Sequence, residues 1–201
     1  MSQATKVLLI NGSYRDDGIT DQAIRAAAQS LTASSANVET IQLREYPIEF
    51  CLNCRACTQE PGVTPGCCVH NDGMRELVEK IEEADAYIIA APTNLGSVTA
   101  IFKRFMERLV VYAYWPWGAN APEFRKAKLP KKKAMLISSC AAPGLMGRWL
   151  YGTQKQLKMT AQIIGAAPVG TLFTGLIAGE ADAQYPERMR RRAEVLAKKL
   201  I

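Results

Sequence analysis

Apolar and polar positions along this chain change period repeatedly, and each change marks a new element. Lys6-Val7-Leu8-Leu9-Ile10 is a short apolar strand. From 20 to 31, Ile24, Ala27, Ala28 and Leu31 recur at helical spacing. Residues 38–43 alternate apolar and polar, as in a strand with one better-buried face. A long irregular section, 44–71, follows and carries five of the six cysteines. Asp72-Gly73 opens a helix over 74–83, with Leu77, Val78 and Ile81 on one side. The continuous apolar run 86–91 reads as a central parallel strand. Helical spacing returns over 98–111, and an aromatic, proline-containing connection occupies 112–128. Strand 133–138, a helix over about 146–164 closing at Gly165, strand 168–173 and a last helix from Pro186 complete the chain.

Strands that alternate with helices build a parallel sheet covered on both faces. The pattern therefore predicts an α/β three-layer sandwich with five parallel strands in the order 2-1-3-4-5 and helices on both sides. In that topology the ligand crevice lies beyond the C-terminal ends of strands one, three and four. Three unusual loops, after Ile10, Ala91 and Ser138, fall at those ends. With 201 residues and no linker or internal repeat, the expectation is a single domain spanning 1–201, with a cysteine-rich insertion at 44–71.

Composition narrows the class. Hydrophobic residues make up 48% of the chain, which excludes a disordered protein. No run approaches the ~18 apolar residues of a membrane span, and 1–6 lack the charged and apolar regions of a signal peptide. A cytoplasmic protein is expected, so its six cysteines read as free, metal-bound or redox-active rather than as structural disulfides. The net charge of +6 draws on Lys131-Lys132-Lys133 and on the arginines and lysines of 188–199. The triplet sits where a strand begins and the others on a terminal helix, so both are solvated faces, and nucleic acid is not expected as a partner.

The first loop, Asn11-Gly12-Ser13-Tyr14-Arg15-Asp16-Asp17-Gly18-Ile19-Thr20, leads from a strand straight into a helix. Unpaired amides and the positive end of the helix dipole favour a phosphate there. Ser13, Tyr14 and Thr20 add hydroxyls, and Arg15 adds a guanidinium. Neither G-x-G-x-x-G nor G-K-[ST] occurs, so the loop is neither a Rossmann fingerprint nor a Walker loop. The plain alternative is an ordinary turn with Thr20 as N-cap. The second loop, Pro92-Thr93-Asn94-Leu95-Gly96-Ser97, offers amides to a ring edge, and Gly96 permits close approach of the main chain.

These residues, with Val98-Thr99 leading into the stretch 103–108 and with the cysteine segment, resemble the flavodoxin-like NADPH-dependent FMN reductase family, and within it the branch that includes the iron–sulfur flavoproteins. The resemblance runs over roughly 6–172. It implies FMN bound non-covalently. The phosphate would lie on Ser13, Arg15, Gly18, Ile19 and Thr20, and the ring against Pro92, Thr93, Asn94, Leu95, Gly96 and Ser97. Ser139 and Cys140 would close the far side. It also implies a homo-oligomer, dimer or tetramer, with the site near a subunit interface. Asn94 stands where the family often has an aromatic residue. Tyr112, Tyr114, Trp115 or Trp117 could supply the stacking ring instead, or form a dimer contact or core lid.

Cys51-x-x-Cys54-x-x-Cys57, followed by Cys67-Cys68, is the sharpest chemical signal, since thiolates at two-residue gaps can converge on one metal or cluster. In the family resemblance, Cys68-Val69-x-x-Asp72-x-Met74 matches the closing stretch, which makes Cys51, Cys54, Cys57 and Cys68 the ligand set for a 4Fe-4S cluster. Zinc suits the same ligands, and relatives also keep these cysteines as thiols without a cluster. His70, the only histidine, is either a further ligand or a surface residue. The expected activity is hydride transfer from NADPH or NADH through FMN to a small acceptor such as a quinone or flavin, with no catalytic side chain required. The alternatives are an iron–sulfur flavoprotein electron carrier and a flavin-free cysteine redox sensor.

Overall fold

The computed structural model describes residues 4–143, 150–176, 179 and 182–201. In chain order its elements are β1 (Lys6–Asn11), α1 (Ile19–Ala33), β2 (Asn37–Gln42), α2 (Gly73–Glu83), β3 (Ala86–Pro92), α3 (Ala100–Arg108), β4 (Ala113–Tyr114), β5 (Glu123–Phe124), β6 (Lys132–Ser139), α4 (Thr153–Ile163), β7 (Ala166–Thr174) and α5 (Glu187–Ala197). The main sheet runs β2-β1-β3-β6-β7, parallel throughout. Counting its strands alone, this is the expected order 2-1-3-4-5. The pair β4–β5 forms a small antiparallel ribbon inside the aromatic connection, which the sequence pattern did not indicate.

Period-two alternation explains the two cores. On β3, Tyr87, Ile89 and Ala91 face one side, where they pack with Leu77 and Ile81 of α2, Phe102 and Phe105 of α3, and Leu157 of α4. Ala86, Ile88 and Ala90 face the other side and meet Ala23, Ala27 and Leu31 of α1 and Ala193 and Ala197 of α5. Both faces are covered, so the strand reads as a continuous apolar run. Its C-terminal tip, with those of β1 and β6, emerges between the two layers.

Helix boundaries differ from expectation in instructive ways. Helix α1 begins at Ile19 with Gly18 at the N-cap and no side-chain cap, so Thr20 is not the capping residue. Asp72 does cap α2, accepting from the Met74 amide at 3.1 Å. Thr99 caps α3, which ends at Arg108 and tightens into a turn over Leu109–Tyr112. Of the helix expected over 146–164, residues 146–149 lie outside the described residues. Leu150 is helical, Tyr151 and Gly152 interrupt the helix, and it resumes at Thr153 to close at Ile164 and Gly165 as expected. Among the described residues no helix is long and apolar enough to cross a membrane.

Candidate functional site

The three loops are joined by direct hydrogen bonds. Thr20 Oγ1 and Ser139 Oγ lie 3.1 Å apart, and the Thr93 amide donates to the Ser139 carbonyl at 2.7 Å. Gly12 is clamped from both sides: its amide donates to the Ala90 carbonyl at 2.8 Å, and its carbonyl accepts from Thr99 Oγ1 at 2.6 Å. Ser13, Thr20, Thr93, Gly96 and Ser139 therefore belong to one rim at the tips of β1, β3 and β6.

Within the first loop, buried Asn11 is the hub. It donates to Asp21 Oδ1 at 2.6 Å and Gln42 Oε1 at 2.7 Å, and accepts the Ser13 amide at 2.9 Å. Arg44 braces the loop from β2's end, donating to the Ser13 carbonyl at 3.1 Å and to Asp16. Asn11 entered the sequence reading only as the first residue of the loop motif, and Arg44 was given no role there. The Ser13, Arg15 and Asp17 amides are spent on local acceptors. No acceptor is found among the described residues for the amides of Gly18, Ile19 and Thr20, which open α1. The Arg15 stem lies against Gly18, where an added Cβ would be 3.4 Å from its carbons, and its exposed guanidinium has no hydrogen bond there. A guanidinium beside three unspent amides at a helix N-terminus is a geometry suited to a phosphate.

The second loop is a tight turn. Asn94 and Ser97 exchange amide–carbonyl bonds at 2.8 and 3.1 Å, while Leu95 (φ 47°) and Gly96 (φ 79°) both take the left-handed conformation. Leu95 costs backbone strain there and projects fully exposed, a combination common at ligand-binding turns. Of the expected donors, the Thr93, Asn94 and Ser97 amides are consumed and Pro92 has none, which leaves Leu95 and Gly96 without an acceptor among the described residues. Thr93 Oγ1 is buried without a partner among the described residues. That orphaned hydroxyl and the two free amides fit a polar ring edge, as the amides of Gly18, Ile19 and Thr20 fit a phosphate, so the residues present suit FMN.

Helix α4 buttresses this turn. Gly152 donates its amide to the Gly96 carbonyl at 2.8 Å, and Gln156 Oε1 accepts from Ser97 Oγ and the Val98 amide. The aromatic ring beside Gly96 is Tyr151, not the cluster proposed from sequence: Tyr112 is fully buried, and Trp115 and Trp117 stack on Arg55 at 3.8 and 4.4 Å. Cys140 is also used locally. Its amide goes to Thr174, its thiol donates to the Ala142 carbonyl, and burial pushes the thiol up.

The insertion gathers the four named cysteines. Cys51, Cys54, Cys57 and Cys68 line one pocket with Arg55, His70 and Arg108, while Cys67 is not among its lining residues. Burial first, and then the neighbouring Cys68, Cys51 and Cys54 thiols, push the Cys57 thiol up to about 11. Left-handed Asn53 and Arg55 curl the loop, and the Asn53 amide donates to Cys51 Sγ at 3.4 Å. His70 instead bonds the Phe50 carbonyl through Nε2. Among the described residues no three His, Cys, Asp or Glu side chains converge on a single-ion site. One zinc draws its sulfurs to about 2.3 Å from a point, whereas a cluster places iron and sulfide between its thiolates and so suits a wider ring. Four cysteines around one pocket, with the Asn53 amide on Cys51 and the Arg108 guanidinium on Cys68, both at 3.4 Å, suit a cluster.

Fold and loop placement define a flavodoxin-like α/β protein. The NADPH-dependent FMN reductase family profile matches residues 5–174, and the chain belongs to that family. It is similar to an iron–sulfur flavoprotein of Archaeoglobus fulgidus, 26% identical over 98% of this chain and 94% of the relative. A second from that organism is 34% identical over 55% of this chain and 48% of the relative, and one from Methanocaldococcus jannaschii is 32% identical over 51% of each. The chain thus spans about half the length of the latter two. Solved structures with the same fold include an azoreductase from Bacillus anthracis (TM-score 0.68, 13% identity, 98% of each chain). Another is an NAD(P)H:quinone oxidoreductase from Methanothermobacter marburgensis (TM-score 0.66, 16% identity, 98% of this chain and 97% of the other). At these identities the likeness concerns the fold alone.

Proposed function

We propose that this protein is an FMN-dependent oxidoreductase that takes hydride from NADPH or NADH and passes electrons to a small acceptor of the quinone or flavin kind. The observation that carries this reading is the rim itself. Unspent amides of Gly18, Ile19 and Thr20 and of Leu95 and Gly96 are fixed relative to each other through Ser139. Bound FMN supplies reversible hydride acceptance, so no protein nucleophile or acid–base pair is demanded. The chain's own task is to bind and orient. Arg15 and the α1 amides would neutralise and hold the phosphate. The Leu95 and Gly96 amides and Thr93 Oγ1 would hydrogen-bond the ring, and donors held rigid by the Asn94–Ser97 turn and by α4 favour negative charge there. Tyr151 would shield that edge from water. Ser139, whose hydroxyl pairs with Thr20 Oγ1 and whose carbonyl accepts the Thr93 amide, ties the loops together. We further propose that the assembly is a dimer or tetramer in the cytoplasm.

Titration of flavin-free protein with FMN, followed by anaerobic addition of NADPH, tests this. Saturable binding and bleaching of the flavin band support it. Failure to take up FMN in excess would end it.

The four-cysteine pocket favours a second reading, in which the protein is an iron–sulfur flavoprotein that carries electrons between FMN and a cluster on Cys51, Cys54, Cys57 and Cys68. The names of the curated relatives support it. Iron and sulfide analysis with a visible spectrum, on protein prepared without oxygen, separates the two.

A further inference from the structure

Arg108, in the last turn of α3, has only 1% of its surface exposed and lines the four-cysteine pocket. Its Nη1 donates to Asp72 Oδ2 at 2.6 Å and to the Glu49 carbonyl at 2.8 Å. Its Nη2 donates to Asp72 Oδ1 at 3.1 Å and to Cys68 Sγ at 3.4 Å. Four of the five guanidinium donors are thus placed, three on oxygen and one on sulfur. The fifth, Nε–H, is buried with no partner among the described residues. Asp72 is itself immobilised by the Glu49 amide at 2.8 Å and the Met74 amide at 3.1 Å. The guanidinium has no room to turn away from Cys68.

Stability does not account for this arrangement. Burying two charges costs several kcal/mol for each ion, and apolar side chains of similar volume usually hold a fold at least as well. An unmet buried donor adds about 1–3 kcal/mol to that cost. What an apolar pair cannot supply is a fixed, positively charged N–H donor on a cysteine sulfur.

We propose that Arg108 is a positioning residue for an iron–sulfur cluster on Cys51, Cys54, Cys57 and Cys68: locked by Asp72, it donates to the Cys68 sulfur and raises the cluster's reduction potential. This rests on the cluster reading above. Reduction adds negative charge, and hydrogen bonds to the ligand sulfurs together with a nearby cation favour the more negative state.

The test compares wild type, Arg108→Lys and Arg108→Gln after anaerobic reconstitution with ferrous iron and sulfide. Iron and sulfide per chain, retained FMN, far-UV circular dichroism and the midpoint potential by mediated titration are read for each. Arg108→Gln is expected to keep FMN and native dichroism while its cluster shifts to a more negative potential or loses iron severalfold. Arg108→Lys, which keeps the charge but not the fork, should fall between. A loaded Arg108→Gln with wild-type iron content and potential overturns the proposal alone. If that variant does not fold, Arg108→Lys decides, and wild-type values for it overturn the proposal. Wild-type protein that takes up no iron overturns the cluster reading and this proposal together.

Discussion

Replacing Gly12 by alanine tests whether the first loop's position, and not just its composition, creates the anion site. A Cβ at Gly12 would stand 2.6 Å from Phe102 Cδ2 and 2.8 Å from Phe102 Cβ, where ordinary contact begins at 3.4 Å. Phe102 cannot yield. It is fully buried and packs edge-on against Phe105 with ring centroids 5.8 Å apart. The loop must therefore lift, straining the Gly12–Ala90 and Gly12–Thr99 hydrogen bonds that seat it. Overpacking of this kind costs about 1–3 kcal/mol, which in a chain of this size lowers Tm by roughly 2–12 °C. Lifting the loop also misaligns the α1 amides and Arg15. Losing one charge-assisted hydrogen bond of about 1.5–3 kcal/mol weakens FMN roughly 10- to 100-fold. Thermal melts and FMN titration by fluorescence quenching would read both. Gly12→Ala combined with Phe102→Leu, which makes room, should be more stable than the two single losses predict, with a coupling of about 0.5–3 kcal/mol. Strictly additive losses, or a Gly12→Ala protein with wild-type Tm and FMN affinity, would refute the steric argument.

Arg15→Ala should weaken FMN about 10-fold or more with Tm unchanged, because the exposed guanidinium holds nothing else among the described residues; titration and melting together check this. Cys54→Ser should leave FMN bound and lower electron transfer to the acceptor, measured as stopped-flow reoxidation; unchanged turnover would make these cysteines structural. Burial pushes the Asp72 carboxyl up, but hydrogen bonds from Arg108 and from the Glu49 and Met74 amides more than reverse this and hold it below the usual carboxylate range. A folded value below the unfolded one means the increment is present above about pH 4 and is lost as pH falls through the lower folded value. Urea unfolding of Asp72→Asn, which can still cap α2, should show lower stability at neutral pH and a shallower decline in acid than wild type.

The main sheet was legible because its signals are local. Period-two alternation, continuous apolar runs and strand-to-helix loops each lie within a dozen residues, and the handedness of parallel crossovers does the remaining work. The two unspent stretches of amide, at Gly18 to Thr20 and at Leu95 and Gly96, could be placed in the right loops for the same reason. Their exact membership could not. Whether the Thr93 amide is free depends on Ser139, and whether Thr20 caps a helix or ties two loops depends on the same residue. Sequence separations of 46 and 119 residues carry no local pattern.

The cysteine insertion divides along the same line. Spacing marked Cys51, Cys54 and Cys57 as thiols able to converge, while leaving a cluster, zinc and free thiols all open. The choice of Cys68 over its neighbour came from resemblance, and in the structure Cys68 lines the pocket and Cys67 does not. Nothing local announces the guanidinium that holds Cys68. Arg108 reads in sequence as one more cation on an amphipathic helix beside Lys103 and Arg104, and such residues are usually solvated. Its burial follows from the insertion folding back across α3, which puts Glu49, Cys68 and Asp72 around it from one side of the chain. The aromatic connection, which the sequence left open between a stacking ring and a lid or dimer contact, turns on the same kind of long-range contact. Trp115 and Trp117 are claimed by Arg55, the residue after Cys54, so the aromatic cluster serves the cysteine loop and leaves the crevice edge to Tyr151. The crevice and the cysteine pocket thus share α3, whose N-terminus seats Gly12 through Thr99 and Phe102 and whose last turn carries Arg108, whereas substitutions in the Ser97–Gln156 contact or the Arg55–Trp115 stack should leave binding at the other site intact.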